Sequence, residues 1–341
     1  MGELWIHDKV NQPLEDLWPE NGQYSQKLGE ARGLVILPGN EGLNLTISPD
    51  ASNDLSPLAI LSSSDLQGIY LNGTQVSDAG LLHLKGLSSL RELGLSGTQV
   101  SDAGLIHLKG LTSLQKLYLS GTQVSDAGLA YLKGLASLQM LDLYGARISD
   151  AGLRHLQELT SLQELYLGDC TGVSDAGLAY LRGLTSLQKL DLHGTQVTDT
   201  GMEYLKGLTS LRLLDLIGLR VSDAGLPSLK GLTSLQKLDL SDTGVSDAGL
   251  ANLKGLASLQ ILDLMHTKVS DAGLVYLKGL TSLQTLHLSD TKVSDTGLRY
   301  LKGLTSLQQL FLYDTQVSNT GKAYLTNALP KLEIYLGVFR E

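Results

Sequence analysis

The chain has 341 residues, 42% hydrophobic and 18% charged, with 38 glycines and a formal net charge of −9, a composition of soluble folded proteins. The acidic balance argues against nucleic acid and anionic membrane as partners, and no stretch approaches the roughly 18 consecutive apolar residues of a membrane helix. A single cysteine, Cys170, excludes an internal disulfide framework, and the start MGELWIHDKV lacks the pattern of a secretory signal, so a cytoplasmic setting is expected.

In chain order, residues 1–57 are expected to form an N-terminal cap. Within it GLVILPG and GLNLTI read as two short strands, whereas Trp5 and Trp18 lie in the less regular WIHDKVNQPLEDLWPE. Two tryptophans carry enough apolar area to seal the end of a core. A docking peptide is the alternative use of that segment.

Residues 58–325 then repeat about eleven times. Leu66, Leu90, Leu114, Leu138 and Leu162 follow one another at 24 residues; Leu187 comes after 25, because GDCTGVSD is one residue longer than its counterparts. Leu211, Leu235, Leu259, Leu283 and Leu307 restore the 24-residue step. Residues 326–341 form a C-terminal cap, in which LPKLEIYLGVFRE supplies a last strand. Units that pack only on their neighbours let a core grow linearly, so one elongated domain is expected.

Each unit reads L-x-x-L-x-L-x-x-T-x-V-S-D-A-G-L-x-x-L-K-G-L-T-S-L. The L-x-L alternation makes a short strand with one buried face, and GLxxLxxL returns at helical spacing. Asp78 and its equivalents fall in the first helical turn, where a negative charge suits the dipole, and Lys85-Gly86 and equivalents close it with a cation and a glycine. Over roughly residues 58–336 this template resembles the leucine-rich-repeat family. It is most similar to bacterial repeats with a Thr-x-Val-[Ser/Thr]-Asp-x-Gly-Leu core and more distantly similar to the cysteine-containing repeats of F-box adaptors, although no F-box is recognisable. The resemblance implies an α/β solenoid, a horseshoe with a concave parallel β-sheet and short helices on the convex side. Several bacterial relatives carry such repeats beside signalling or enzymatic domains, which implies a part in a larger system.

Three columns have structural explanations. Lys85, Lys109, Lys133, Arg182, Lys206, Lys230, Lys254, Lys278 and Lys302 read as helix caps. The outer-helix column His83, His107, Tyr131, His155, Tyr180, Tyr204, Tyr276 and Tyr300 reads as stacking between neighbours, with a second binding surface as the alternative. After each strand stands Thr74, Thr98, Thr122, Thr195, Thr243, Thr267, Thr291 or Thr315, whose hydroxyl can bond the adjoining turn; Ala146, Cys170 and Leu219 are exceptions. Cys170 there reads as a structural thiol.

Function is expected where repeats differ, on the third, fifth, seventh and eighth strand positions. The fifth-position ladder runs Tyr70, Gly94, Tyr118, Asp142, Tyr166, Asp191, Asp215, Asp239, Asp263, His287, Phe311, and the seventh includes Tyr144, His193, Ile217, Met265 and Tyr313. Tyr118, Tyr144 and Tyr166 suggest an aromatic patch, and the four consecutive aspartates an acidic stripe, with Lys189 and Lys237 beside it in partial neutralisation. Stacked like charges repel, so a basic partner protein would relieve them; solubility of an open sheet explains them equally well.

A weaker reading is a divalent-metal site among Asp239, Asp263, His287, Asp242, His266 and Asp290. No P-loop, nucleophile elbow, H-E-x-x-H pair or dinucleotide turn is present, so neither catalysis nor a cofactor is expected. The expected function is a monomeric recognition module that holds a protein on its concave face, with a structural scaffold or regulatory subunit as the alternative.

Overall fold

The computed structural model describes residues 66–337 without a break and, ahead of them, 2–6, 26–31, 43–47, 55–56, 58 and 61–62. The chain divides into two compact units, Met1–Ala146 and Arg147–Glu341.

The first unit contains β1 (Gly2–Ile6), β2 (Gln26–Ala31), β3 (Leu43–Ile47), β4 (Gly68–Tyr70), β5 (Glu92–Gly94), β6 (Lys116–Tyr118) and β7 (Met140–Asp142). Strand β1 pairs antiparallel with both β2 and β3, and from β3 to β7 every pairing is parallel between consecutive strands. The expected strand GLNLTI is β3. GLVILPG and Trp18 lie outside the described residues, and Trp5, expected in irregular chain, belongs to β1, in register with Lys27 and Asn44.

The second unit contains β8 (Glu164–Tyr166), β9 (Lys189–Asp191), β10 (Leu213–Asp215), β11 (Lys237–Asp239), β12 (Ile261–Asp263), β13 (Thr285–His287), β14 (Gln309–Tyr313) and β15 (Glu333–Gly337), each parallel to the next. Both units are thus stacks of strand–turn–helix repeats, the leucine-rich-repeat solenoid expected of the template.

The template leucines make the core. In one repeat Leu235, Leu238, Leu240, Val245, Leu250, Leu253 and Leu256 are all fully buried. Each contributes roughly 1.5–3 kcal/mol of transfer free energy before conformational entropy is subtracted. At the strand end, Thr243 Oγ1 donates to the Leu240 carbonyl at 2.6 Å, and Thr74, Thr98, Thr122, Thr195, Thr267, Thr291 and Thr315 repeat this bond.

The helical segments are shorter than the template suggests. Asp102–Leu105 is one α-turn continued by a 3₁₀ turn over Ile106–Leu108, whereas Gly201–Leu205, Leu226–Leu229 and Gly273–Gly279 are 3₁₀ throughout. The first-turn aspartate does more than face the helix dipole: Asp102 Oδ1 accepts the Ser125 backbone N–H at 2.7 Å and Oδ2 accepts its hydroxyl at 2.6 Å, locking one repeat to the next. The glycine at Gly104, Gly128, Gly177 and Gly249 follows from this lock, since a Cβ at Gly104 would stand 2.5 Å from Asp78 Oδ1 and the others meet the preceding aspartate in the same way. The Lys-Gly pairs depart from expectation. Lys109, Lys133, Lys206 and Lys230 do occupy C-caps, but of the glycines in this column only Gly86 has a positive φ among the described residues.

Candidate functional site

The parallel register of the second unit aligns Asp191, Asp215, Asp239, Asp263, His287, Phe311 and Tyr335 across successive strands on the face opposite the leucine core. The aspartates serve the backbone first. Oδ1 of Asp191, Asp215, Asp239 and Asp263 accepts the N–H two residues on, from His193, Ile217, Ser241 and Met265, at 2.8–3.1 Å. Asp142 does the same for Tyr144 in the first unit. An aspartate at this position therefore shapes the turn, a bond that short polar side chains make readily.

These carboxylates are also more buried than an open sheet face suggests: Asp191 is 2% exposed, Asp215 1% and Asp239 7%. Burial pushes the Asp215 carboxyl up to about 7, with the charges of Asp191 and Asp239 adding to it. Asp263 is pushed up to about 6 by burial and then by Asp239. Lys189, expected to neutralise the stripe, instead pairs with Glu164 at 3.3 Å.

Two local constellations stand out. The first is Asp191, His193 and Asp215, which offer one ligand atom each within 4.8 Å of one another, the one such group of three among the described residues. His193 Nδ1 lies 2.7 Å from Asp191 Oδ1. Burial works against its charged form, yet the carboxylates of Asp191 and Asp215 outweigh this and hold the imidazole above its ordinary value. Burial likewise lifts the Asp191 carboxyl, and bonding to His193 only partly offsets it. Asp215 Oδ2 is buried with no hydrogen-bond partner.

The second is a ring stack. Phe311 lies parallel to His287 at 4.2 Å and to Tyr335 at 4.6 Å, with Tyr313 tilted against it at 6.5 Å. His287, Phe311, Tyr313, Ile217 and Met265 are half-buried and reach solvent where Asp191, Asp215 and Asp239 do not. Burial depresses the His287 imidazole below its ordinary value, and Lys237 adds to this. Tyr335 escaped sequence reasoning because it lies beyond the last full repeat; its signal was the I-x-L alternation of EIYLG.

In the first unit, Tyr70 and Tyr118 meet as tilted rings 6.5 Å apart across Gly94, Asp142 is half-buried, and Tyr144 is 41% exposed. Tyr166, in the second unit, is buried and donates to Glu164 at 2.8 Å.

The weaker metal candidates fall apart into two sets. Asp242, His266 and Asp290 occupy a turn position with φ of 56°, 54° and 49°, held by glycine in most repeats; aspartate and histidine tolerate this left-handed backbone better than most residues. His266 Nδ1 lies 2.5 Å from Asp242 and Nε2 3.4 Å from Asp290, all three being exposed. On the neighbouring ladder His287 Nδ1 stands 3.6 Å from Asp263 Oδ2, and Asp239 is buried beyond it. Neither set makes a group as close as that around His193.

On the helical side Lys109 lies over the Tyr131 ring at 4.8 Å and Lys278 over the Tyr300 ring at 4.7 Å, cation–π contacts from the preceding repeat. No helix among the described residues is long and apolar enough to cross a membrane.

Family profiles described as leucine rich repeat match residues 112–171, 183–206, 231–254, 255–278 and 279–302. The chain is a leucine-rich-repeat protein. No protein of curated function matches it. Among solved structures this leucine-rich-repeat protein is similar to the internalin InlF of Listeria monocytogenes, at 22% identity over 87% of each chain and a TM-score of 0.65. It is also similar to a leucine-rich-repeat protein of Leptospira interrogans, at 21% identity over 79% of this chain and 84% of that one, TM-score 0.52. The functional domain of Listeria monocytogenes InlJ, which includes a cysteine ladder, matches at 15% identity over 84% of this chain and 58% of that one, TM-score 0.59. At these identities the likeness is one of fold. Leucine-rich-repeat proteins of this type are in general protein-interaction modules, not enzymes.

Proposed function

We propose that this leucine-rich-repeat protein is a non-catalytic recognition module. It holds a partner protein with a basic patch against the strand face of its second unit, around His287, Phe311, Tyr313 and Tyr335. The observation that carries this reading is the ring stack set in register beside Asp263 and Asp239. Half-buried aromatic rings are rigid anchors with little side-chain entropy to lose, and the carboxyls of Asp215 and Asp263, pushed up in pKa, gain when a cation arrives. Because the leucine framework already fixes these side chains, binding needs little ordering. The same reading makes the chain a monomer, and the lone buried thiol of Cys170 suits the cytoplasm.

Affinity capture from source-cell lysate tests this, comparing the wild type with a His287→Ala/Phe311→Ala/Tyr335→Ala variant whose fold is checked by circular dichroism. Loss of one specific, salt-sensitive protein from the variant is the expected result. Equal retention by both overturns the location, and no retention by either favours a structural scaffold, a role the uniform Asp–Ser locks would also serve.

A further inference from the structure

We propose that Asp191, His193 and Asp215 form a binding site for a first-row divalent transition cation of the Zn2+ class. Asp191 ends β9 and Asp215 ends β10 in direct parallel register, and His193 stands two residues beyond Asp191 in the turn that follows β9. One nitrogen and two carboxylate oxygens lie within 4.8 Å of one another. A tetrahedral shell with bonds of about 2.1 Å sets ligand atoms about 3.4 Å apart, so the ligands close on the ion by about an ångström or less.

Asp215 points to the ligand independently of the grouping. Its Oδ1 is used by the Ile217 N–H, while its Oδ2 is buried, 1% of the residue being exposed, and meets no donor. A buried carboxylate oxygen without a donor is an unmet electrostatic demand, which a cation satisfies.

The neighbourhood fits the same occupant. Asp191 Oδ1 sits 2.7 Å from His193 Nδ1, so two of the three ligand-bearing side chains already meet. Gly168, the counterpart of His193 in the turn after β8, leaves room: a Cβ there would stand 2.8 Å from His193 Nδ1 and 2.9 Å from Asp191 Oδ2. Lys189, the cation nearest in sequence, is drawn off to Glu164. Imidazole with two carboxylates favours Zn2+, Mn2+ or Co2+ over Ca2+ and Mg2+, which prefer oxygen-only shells. Two ionised carboxylates neutralise the ion, and the half-buried His193 edge gives it a path in.

The experiment is a titration of the full chain, freed of metal by chelator, with Zn2+ and, separately, with Ca2+, by calorimetry and by competition with a chromogenic chelator at pH 6 and 8. One site of micromolar or tighter affinity is expected, tighter at pH 8 because the ligands must shed their protons. His193→Gln and Asp215→Asn, each checked for wild-type circular dichroism, should weaken it at least tenfold, and His266→Ala, in the exposed Asp242–His266–Asp290 set, should leave it unchanged. The site is refuted by absence of binding at both pH values, by binding at millimolar Zn2+ only, by a preference for Ca2+, or by loss in His266→Ala with retention in His193→Gln. None of these outcomes depends on a protein partner, so this site and the recognition role stand or fall separately.

Discussion

Asp199 grips the next repeat twice at Ser222, accepting its backbone N–H at 2.7 Å and its hydroxyl at 2.6 Å. The same pair of bonds joins Asp78 to Ser101, Asp150 to Ser174 and Asp271 to Ser294, so the lock is a property of the fold and not of one site.

Asp199→Ala should therefore cost about 2–3 kcal/mol, the worth of charged hydrogen bonds to a part-buried acceptor, read as a lower urea midpoint. Gly225→Ala should also destabilise, because a Cβ there would stand 2.7 Å from Asp199 Oδ1. The two changes share one cause. The double variant should lose clearly less than the two singles added, and strict additivity in urea melts would mean that the glycine is required for another reason.

Leu238 is fully buried between Leu214 and Leu262. Leu238→Asp puts an unpaired carboxylate into a leucine core, at a cost of more than about 4 kcal/mol. Hydrogen exchange should show the second unit opening locally; a variant with wild-type protection would contradict the register.

Asp263 gives the pH dependence a sign. Its folded-state carboxyl is pushed up to about 6, against an unfolded value of about 3.9, so the folded chain holds that proton more tightly. The stabilisation is complete below about pH 4 and is lost as pH rises through 6. Asp263→Asn, which keeps the acceptor for the Met265 N–H, should gain on the wild type over that window by at most roughly 3 kcal/mol. Denaturant melts at pH 4 and 7 measure the gain; a constant difference between the two proteins would rule it out.

Cys170 is fully buried beside the turn of the longest repeat. A thiol reagent should modify it only as fast as the structure opens, far more slowly than in denaturant, and modification at the unfolded rate under native conditions would place the side chain outside the core.

The period of 24, the strands and the leucine core were legible because one template recurs and each recurrence confirms the last. The threonine column was legible too, since a hydroxyl after a strand has few other uses. The inter-repeat lock was less so: Asp102 sits where a helix dipole already accounts for it, and only the stacking of the repeats brings Ser125, 23 residues on, to both its oxygens. Ladder order predicted that Asp191, Asp215 and His193 are neighbours but gave no hint that the aspartates are buried or that Asp215 keeps one oxygen unpartnered, because a ladder does not show how closely neighbouring turns pack, as at Gly168, where a Cβ would meet both His193 and Asp191. The expected metal candidates Asp242, His266 and Asp290 owe their places to a left-handed turn that composition alone does not disclose.

The longer repeat carries its additional residue between β8 and the helical turn that starts at Asp175. Thr171 N–H closes back on the Asp169 carbonyl at 2.9 Å, Glu164 still meets Lys189, and Asp150 still reaches Ser174 at 2.7 Å. The turn after a strand is thus a splice point: sequence can be inserted there without disturbing pairing on either side, which makes the Asp169–Gly172 corner the natural place to graft a foreign loop onto this scaffold.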